Sequence, residues 1–392
     1  MGIKRNISIY YWYSTFTNLL ILGPVLTLFL LGRGLNFTQI MALQSIAAIT
    51  ITIMEVPTGA VGDLLGRKYS VMLGSLCMFV STIFYAFGHN FFWFALAEIT
   101  FSIGVCFKSG SDTALLYDTL KKLDRESDFK KIQGKGHALS LIAQIPGSIL
   151  AGYAFEINEA LPMIISGGFM LIALFIELFF EEIEVYEFEE KPSYFGQIAS
   201  SVKYTANHGK VKALIVYSMF FCIFYRAGFW FFQPYLKAID IPVVHFGYIF
   251  ALFNLVAALT SKYSGEIISK TKGKTLLLVV SLILVSFALL GFTNTFVGVI
   301  FILPQQMARG LYKPVIMKSL NKNIPSNKRA TIISLHSLLS NLAMAITLPL
   351  IGMLMDSRDI FSVHIIMTEL MFVGILPLSI YLRYRLSKKV VQ

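Results

Sequence analysis

Apolar runs of about twenty residues, separated by short polar or glycine-bearing joints, recur along the whole chain. A helix of that length crosses the hydrocarbon core of a bilayer. The joints predict twelve helices, at 8–31, 39–62, 70–88, 91–116, 135–156, 161–181, 211–236, 243–268, 274–292, 295–319, 328–355 and 361–383. Lipid offers the backbone no hydrogen-bond partners, so a spanning segment must be a helix or belong to a closed barrel. Barrel strands alternate in polarity over about ten residues. These runs are longer and apolar all round, so the pattern predicts an all-α integral membrane protein.

Composition sharpens the class. Of 392 residues, 56% are apolar and 14% charged, with a mean hydropathy of +0.69, whereas soluble domains carry roughly a quarter charged residues. The net charge of +11 would suit nucleic acid, but its placement argues against that partner. With the N-terminus inside, 25 basic residues fall in cytoplasmic segments, among them Lys4, Arg5, Arg67, Lys68, Lys121, Lys122, Arg329 and Lys388, while Arg33, Lys237 and Arg358 are external. That bias orients a multi-pass protein of the inner (plasma) membrane with both termini cytoplasmic and an even helix count. Cys77, Cys106 and Cys222 lie inside apolar segments without paired or metal-ligand spacing, which predicts reduced, structural cysteines. Lys4 and Arg5 precede the first apolar run. No small-residue cleavage site follows, so the run reads as an uncleaved helix.

The long polar stretch at 181–212 opens acidic, at Glu181, Glu182, Glu184, Glu187, Glu189 and Glu190, and turns basic beyond Pro192. It predicts an N-terminal six-helix bundle at 1–185, a central cytoplasmic loop at 186–209 and a C-terminal bundle at 210–392. At an offset of 200, Gly110 meets Gly310, Ser140 meets Ser340, Gly152 meets Gly352 and Glu156 meets Asp356. Such coincidences, together with the helix count, predict two pseudo-symmetric six-helix bundles, the architecture of transporters built from internal repeats.

A specific local motif lies between the second and third helices: Glu55-Val-Pro-Thr-Gly59-Ala-Val-Gly-Asp63-Leu-Leu-Gly66-Arg67-Lys68. Gly59 permits close helix approach and Gly66 lets the chain reverse. Asp63, at a helix end, can hold a neighbouring helix or a basic partner, and Arg67 and Lys68 face the cytoplasm and anionic lipid heads. The pattern of Gly59, Asp63, Gly66, Arg67 and Lys68 resembles the helix 2–3 signature of the major facilitator superfamily. The resemblance covers the full chain: twelve helices, two halves and a central loop. It implies that the loop acts as a conformational latch during alternating access, and that helices 1, 4, 7 and 10 line a central cavity. Glu55-Val-Pro-Thr-Gly59 and Arg329-Ala-Thr-Ile-Ile-Ser also look similar to bacterial drug-efflux members. Two antiporter motifs depart from the pattern: Glu98 stands where an arginine precedes Gly104 by six residues, and Gly147-Ser-Ile-Leu-Ala-Gly152 replaces Gly-Pro-x-x-Gly-Gly.

Ionisable groups at membrane depth cost about 2.5–3.5 kcal/mol each on insertion scales and need a reason. Helix 4 carries Glu98, Ser102, Ser109 and Asp112 on one stripe, with Lys108 placed to pair with Asp112 at i, i+4. Glu98 reads either as an interhelical hydrogen-bonded carboxyl or as a cavity group. Helix 7 places Ser218, Cys222, Arg226 and Gln233 along a stripe beside Trp230, and helix 10 places Gln305, Arg309 and Lys313 at i, i+4 and i+8. Guanidinium groups stay charged, so Arg226 and Arg309 call for carboxylates or an anionic ligand. Arg226, Arg309, Gln233, Trp230 and Gln305 are the substrate-cavity candidates. Glu98, Asp112 and Glu55 are the proton-coupling candidates. His336 and Asn341 read as interhelical bonding groups or ligand contacts, and Glu177 and Glu369 as packing groups.

No Gly-x-x-x-x-Gly-Lys-Ser/Thr phosphate cradle, metal-ligand cluster or nucleophile elbow occurs. No cofactor or enzymatic activity is expected. The reading is a monomeric secondary transporter in membrane lipid that moves a small-molecule substrate by rocking of two halves, driven by protons or another ion. Proton-coupled antiport, exporting drug-like or amphipathic compounds, is the leading form. Uptake or exchange of a small, anionic metabolite and a non-transporting receptor or lipid-handling role are the alternatives.

Overall fold

In the computed structural model every one of the twelve predicted segments overlaps a helix. The structure describes residues 2–19, 21–183, 202, 204–271, 274–325 and 328–387. The helices are α1 (Gly2–Phe16), α2 (Leu26–Gly32), α3 (Phe37–Leu65), α4 (Arg67–Phe87), α5 (Phe91–Lys108), α6 (Ser111–Lys122), α7 (Phe129–Ile157) and α8 (Leu161–Glu177). They continue as α9 (Gly209–Ala238), α10 (Val243–Lys262), α11 (Ser264–Thr271), α12 (Thr275–Gly291), α13 (Gly298–Asn323), α14 (Arg329–Ser357) and α15 (Ile360–Ser387). Among the described residues, eight helices are long and apolar enough to cross a membrane by length and composition, and α8 is a shorter apolar helix. The chain divides into two units, Met1–Phe188 with Pro242–Ala251, and Glu189–Ile241 with Leu252–Gln392. Of the central loop expected at 186–209, residues 186–201 and 203 lie outside the described residues.

Three predicted helices are broken. The first is interrupted between Phe16 and Leu26, the fourth at Ser109–Gly110, and the eighth at Tyr263. Gly110 adopts a φ of +81°, which ends α5 and restarts the chain as α6. Elsewhere local chemistry sets the helix ends. Asn36 and Gln39 form a capping box at α3: Gln39 N donates to Asn36 Oδ1 at 2.8 Å and Asn36 N to Gln39 Oε1 at 3.1 Å. Asn90 Oδ1 accepts from Phe92 N and Trp93 N at the start of α5. Pro57 and Pro314 lie inside continuous helices, α3 and α13.

In the first unit α4 packs on α5 and α8, α3 on α5, and α1 on α7 and α8. The α4–α5 contact is a backbone contact. A Cβ on Gly104 would lie 2.7 Å from Gly74 O, and one on Gly74 would lie 2.8 Å from Gly104 O. Ser70 Oγ donates to Phe107 O at 2.7 Å and Ser81 Oγ to Ala97 O at 2.8 Å, spanning the same pair. Small residues and hydroxyls thus replace the hydrophobic drive that lipid cannot supply between helices.

The second unit repeats the order: α12 packs on α13 and α15, and α9 on α14 and α15. Its core is aromatic, with Tyr217, Phe221, Phe231, Tyr235 and Phe287 buried. The buried tyrosine hydroxyls find carbonyls, Tyr217 on Leu276 O at 2.7 Å and Tyr235 on Thr293 O at 2.6 Å. His364 is fully enclosed. Its ring lies edge-on to Phe231 (5.4 Å), Tyr235 (5.5 Å) and Phe287 (5.5 Å), with Nδ1 2.7 Å from Ile360 O.

Candidate functional site

The first unit holds two polar centres. Glu98, on α5, is buried with 6% exposure. Its Oε1 accepts from Tyr85 Oη on α4 at 2.6 Å and from Gln44 Nε2 on α3 at 2.8 Å. A carboxyl at membrane depth is therefore hydrogen-bonded by neutral donors from two helices, an arrangement that tolerates either protonation state.

The second centre departs from the predicted i, i+4 pair. The break at Ser109–Gly110 moves Asp112 onto α6, and Lys108 and Asp112 form no ion pair. Asp112 Oδ2 instead accepts from Tyr13 Oη at 3.3 Å, and Oδ1 accepts from Thr113 N at 2.6 Å. Lys108 lays its stem across Gly74 and its Nζ 4.8 Å from the centre of the Tyr13 ring. Glu177 is fully buried; its Oε1 accepts from Ser75 Oγ at 2.5 Å, while Oε2 has no hydrogen-bond partner. Lys108 is close enough to act electrostatically on both Glu177 and Asp112. Glu177, read from sequence as a packing group, is thus the buried member of a charged cluster linking α8, α4, α5, α6 and α1.

The signature loop is held by residues its own sequence does not reveal. Gly66 takes a φ of +102°, turning the chain from α3 into α4. Asp63 Oδ1 pairs with Arg67 Nη2 at 2.9 Å. Glu182 places both carboxylate oxygens on the first amides of α4, accepting from Arg67 N at 2.9 Å and Lys68 N at 2.7 Å. A negative charge is favourable there because the amides are unpaired and the helix dipole is positive. The φ of +102° calls for a glycine, and a Cβ there would also lie 2.8 Å from Glu182 Cδ and push the capping carboxylate aside. Lys68 Nζ donates to Leu178 O at 2.8 Å. On the other side Asn6 brackets Glu181: Glu181 N donates to Asn6 Oδ1 and Asn6 Nδ2 to Glu181 O, both at 2.9 Å. The sequence signal for Glu182 was its acidic run, which reads equally well as solvated linker. Gly59 has open space where a side chain would stand. Glu55 is exposed on α3.

In the second unit the substrate-cavity candidates separate by burial. Gln233, Trp230 and Gln305 are core residues, each 3% exposed or less. Gln305 Nε2 donates to Ser286 Oγ at 2.8 Å, and the Trp230 indole N–H is buried without a partner. Arg226, mid-way along α9, and Lys313 on α13 are exposed. Arg309 Nη1, on α13, donates to Asn254 Oδ1 at 3.1 Å. None of the three forms an ion pair with a carboxylate among the described residues. Below Arg226 on α9, Ser218 Oγ bonds both Tyr312 Oη and His336 Nε2, and Tyr312 Oη lies 3.1 Å from Cys222 Sγ. His336 Nδ1 is buried without a partner. Among the described residues no group of three His, Cys, Asp or Glu side chains is placed to hold a metal.

Two helical units with one repeated packing order and charged groups inside their helices define a multi-pass α-helical membrane protein built from an internal repeat. Comparison with known proteins shows what the chain is similar to. The profile described as Major Facilitator Superfamily matches residues 215–391. A Bacillus subtilis protein, the uncharacterized MFS-type transporter YxaM, is 25% identical over 348 residues, 84% of each chain. The quinolone resistance protein NorA of Staphylococcus aureus is 23% identical over 155 residues, 40% of this chain and 39% of NorA. The nucleoside transporter NupG has the same fold, with a TM-score of 0.81 at 14% identity over 99% of this chain and 100% of that one. Residues 215–391 thus match the major facilitator superfamily, the chain is similar over most of its length to an MFS-type transporter, and it shares the fold of NupG.

Proposed function

We propose that the chain is a secondary active transporter, not an enzyme, that carries a small organic anion across the inner (plasma) membrane by alternating access. The observation that carries this reading is the set Arg226, Arg309 and Lys313: three basic side chains within two neighbouring helices of one unit, with no carboxylate paired to any of them among the described residues. Arginine keeps its charge in any environment, so a carboxylate or phosphate on the cargo supplies the missing countercharge. Protons are the coupling ion in this reading. Glu98 is the leading carrier because it is buried among neutral donors, with Asp112 and Glu55 as the other candidates. Gly59, Asp63, Gly66, Arg67 and Lys68 serve as the latch, the protein works as a monomer, and both termini are cytoplasmic.

Export of amphipathic, drug-like compounds by proton antiport is a second reading, supported by the partial similarity to NorA. Proteoliposomes under an imposed pH gradient test the two. Flux of a carboxylate-bearing fluorophore that is lost in Arg226→Gln and Arg309→Gln is the expected result. Flux of a cationic dye that is indifferent to both substitutions would favour the second reading and remove the anionic one.

A further inference from the structure

We propose that the groove between α4 and α8 is a binding site for an anionic phospholipid, with an acyl chain in the groove and the phosphate at Lys68 and Arg5. The groove encloses about 550 Å³. Its walls are apolar and aromatic, with Leu65, Tyr69 and Leu73 on one side and Leu174, Phe175 and Leu178 on the other. Both walls belong to the same unit, and α4 and α8 pack directly on each other. A concave apolar surface of that kind has nothing to offer water, and a hydrocarbon chain is the ligand whose chemistry matches it.

The headgroup class follows from the cations at the mouth. Lys68 Nζ is fixed between two groove residues, donating to Leu178 O at 2.8 Å and lying 6.0 Å from the centre of the Tyr69 ring. Next along the chain, Phe179 carries the Arg5 guanidinium 5.2 Å from its ring centre. Neither cation forms an ion pair among the described residues. The acid nearest Lys68 in this clasp, Glu182, has both oxygens occupied by the amides of Arg67 and Lys68, and Glu181 lies against Gly2. Two cations free of ion pairs among the described residues, on adjacent anchor points above an apolar groove, match one phosphate and its acyl chain. The lipid then sits in the leaflet beside the Gly66 turn, in contact with the Lys68 end of the signature motif.

Native mass spectrometry of the purified full-length chain, given equimolar phosphatidylglycerol and phosphatidylethanolamine with identical acyl chains, tests the proposal. Phosphatidylglycerol adducts should exceed the others at least about fivefold, the preference that one basic residue near an anionic headgroup confers. Lys68→Gln with Arg5→Gln should bring the ratio close to one, whereas Lys121→Gln with Lys122→Gln should leave it unchanged. Leu174→Trp, which fills the groove, should reduce both adducts. Equal adducts on the wild-type protein, or a preference that survives Lys68→Gln with Arg5→Gln, would overturn the site. Should these variants fail to fold, photoactivatable phosphatidylglycerol on the wild-type protein provides the second measurement. Crosslinks concentrated in 69–76 and 171–178 support the groove, and crosslinks spread evenly over both units mean annular lipid only and refute it.

Discussion

Tyr85 on α4 and Glu98 on α5 share a 2.6 Å hydrogen bond, and the same carboxylate oxygen receives Gln44 from α3. One acid therefore fastens three helices while remaining chemically able to bind and release a proton. The two roles separate by substitution. Tyr85→Phe leaves the buried carboxyl with one donor fewer and should cost about 1–3 kcal/mol, read as a lower thermal midpoint in detergent. Glu98→Gln keeps the size and an acceptor, so the fold should persist while flux driven by a pH gradient is lost. Intact gradient-driven flux in Glu98→Gln would end its assignment as proton carrier.

The cap on α4 makes Gly66 and Glu182 interdependent. Glu182→Ala removes the acceptor for two helix-terminal amides and should cost about 0.5–2 kcal/mol, the range for lost N-caps. Gly66→Ala suffers twice, from its φ of +102° and from the 2.8 Å approach to Glu182 Cδ. Combining the two changes should recover part of the Gly66→Ala loss, because Glu182→Ala vacates the space. Strictly additive midpoints would rule out the coupling.

At Gly104 the backbones of α4 and α5 meet. Gly104→Ala should destabilise by about 1–3 kcal/mol, as overpacking does, whereas Gly168→Ala on α8, where space is open, should be close to neutral. Equal midpoints for the two variants would contradict the backbone contact.

Asp359 caps α15, accepting from Ser362 Oγ at 2.6 Å and from Phe361 N and Ser362 N at 3.0 Å. The Ser362 hydroxyl, followed by its amide, holds the Asp359 carboxyl below its ordinary value. A depressed carboxyl pKa stabilises the fold above the unfolded value of about 3.9 and loses that contribution as pH falls through the folded value. Ser362→Ala should therefore flatten the pH dependence of the thermal midpoint below about pH 4. The effect should be small, because Asp359 is at the surface and solvent screens it. An unchanged profile would remove the cap from the acid response.

Helix positions were legible because twenty apolar residues admit few alternatives, and the Gly66 turn because its residue types carry their own conformational signal. The breaks were not legible. Gly23-Pro24 is a turn signal, but it sits inside one long apolar run that reads as a single span, and Ser109-Gly110-Ser111 sits inside an otherwise helical pattern. That one break undid the Lys108–Asp112 pairing, since an i, i+4 argument holds only within an uninterrupted helix. The bonds of Glu177 and Glu182 are illegible for a different reason. Their partners, Ser75 and the amides of Arg67 and Lys68, lie more than a hundred residues away in sequence. Periodicity on one helix carries no information about a bond of that separation. Along α9 and α13, spacing grouped Arg226 and Arg309 with Gln233 and Gln305, but only packing tells an exposed guanidinium from a core amide.

The enclosure of His364 turns a packing detail into an instrument. Three aromatic rings standing edge-on around one imidazole displace its proton resonances by their ring currents, and the rings come from α9 and α12 while the imidazole belongs to α15. Any event that loosens or tightens those three helices alters the displacement. The chain therefore carries an unlabelled magnetic reporter in the core of its second unit, readable without introducing a probe.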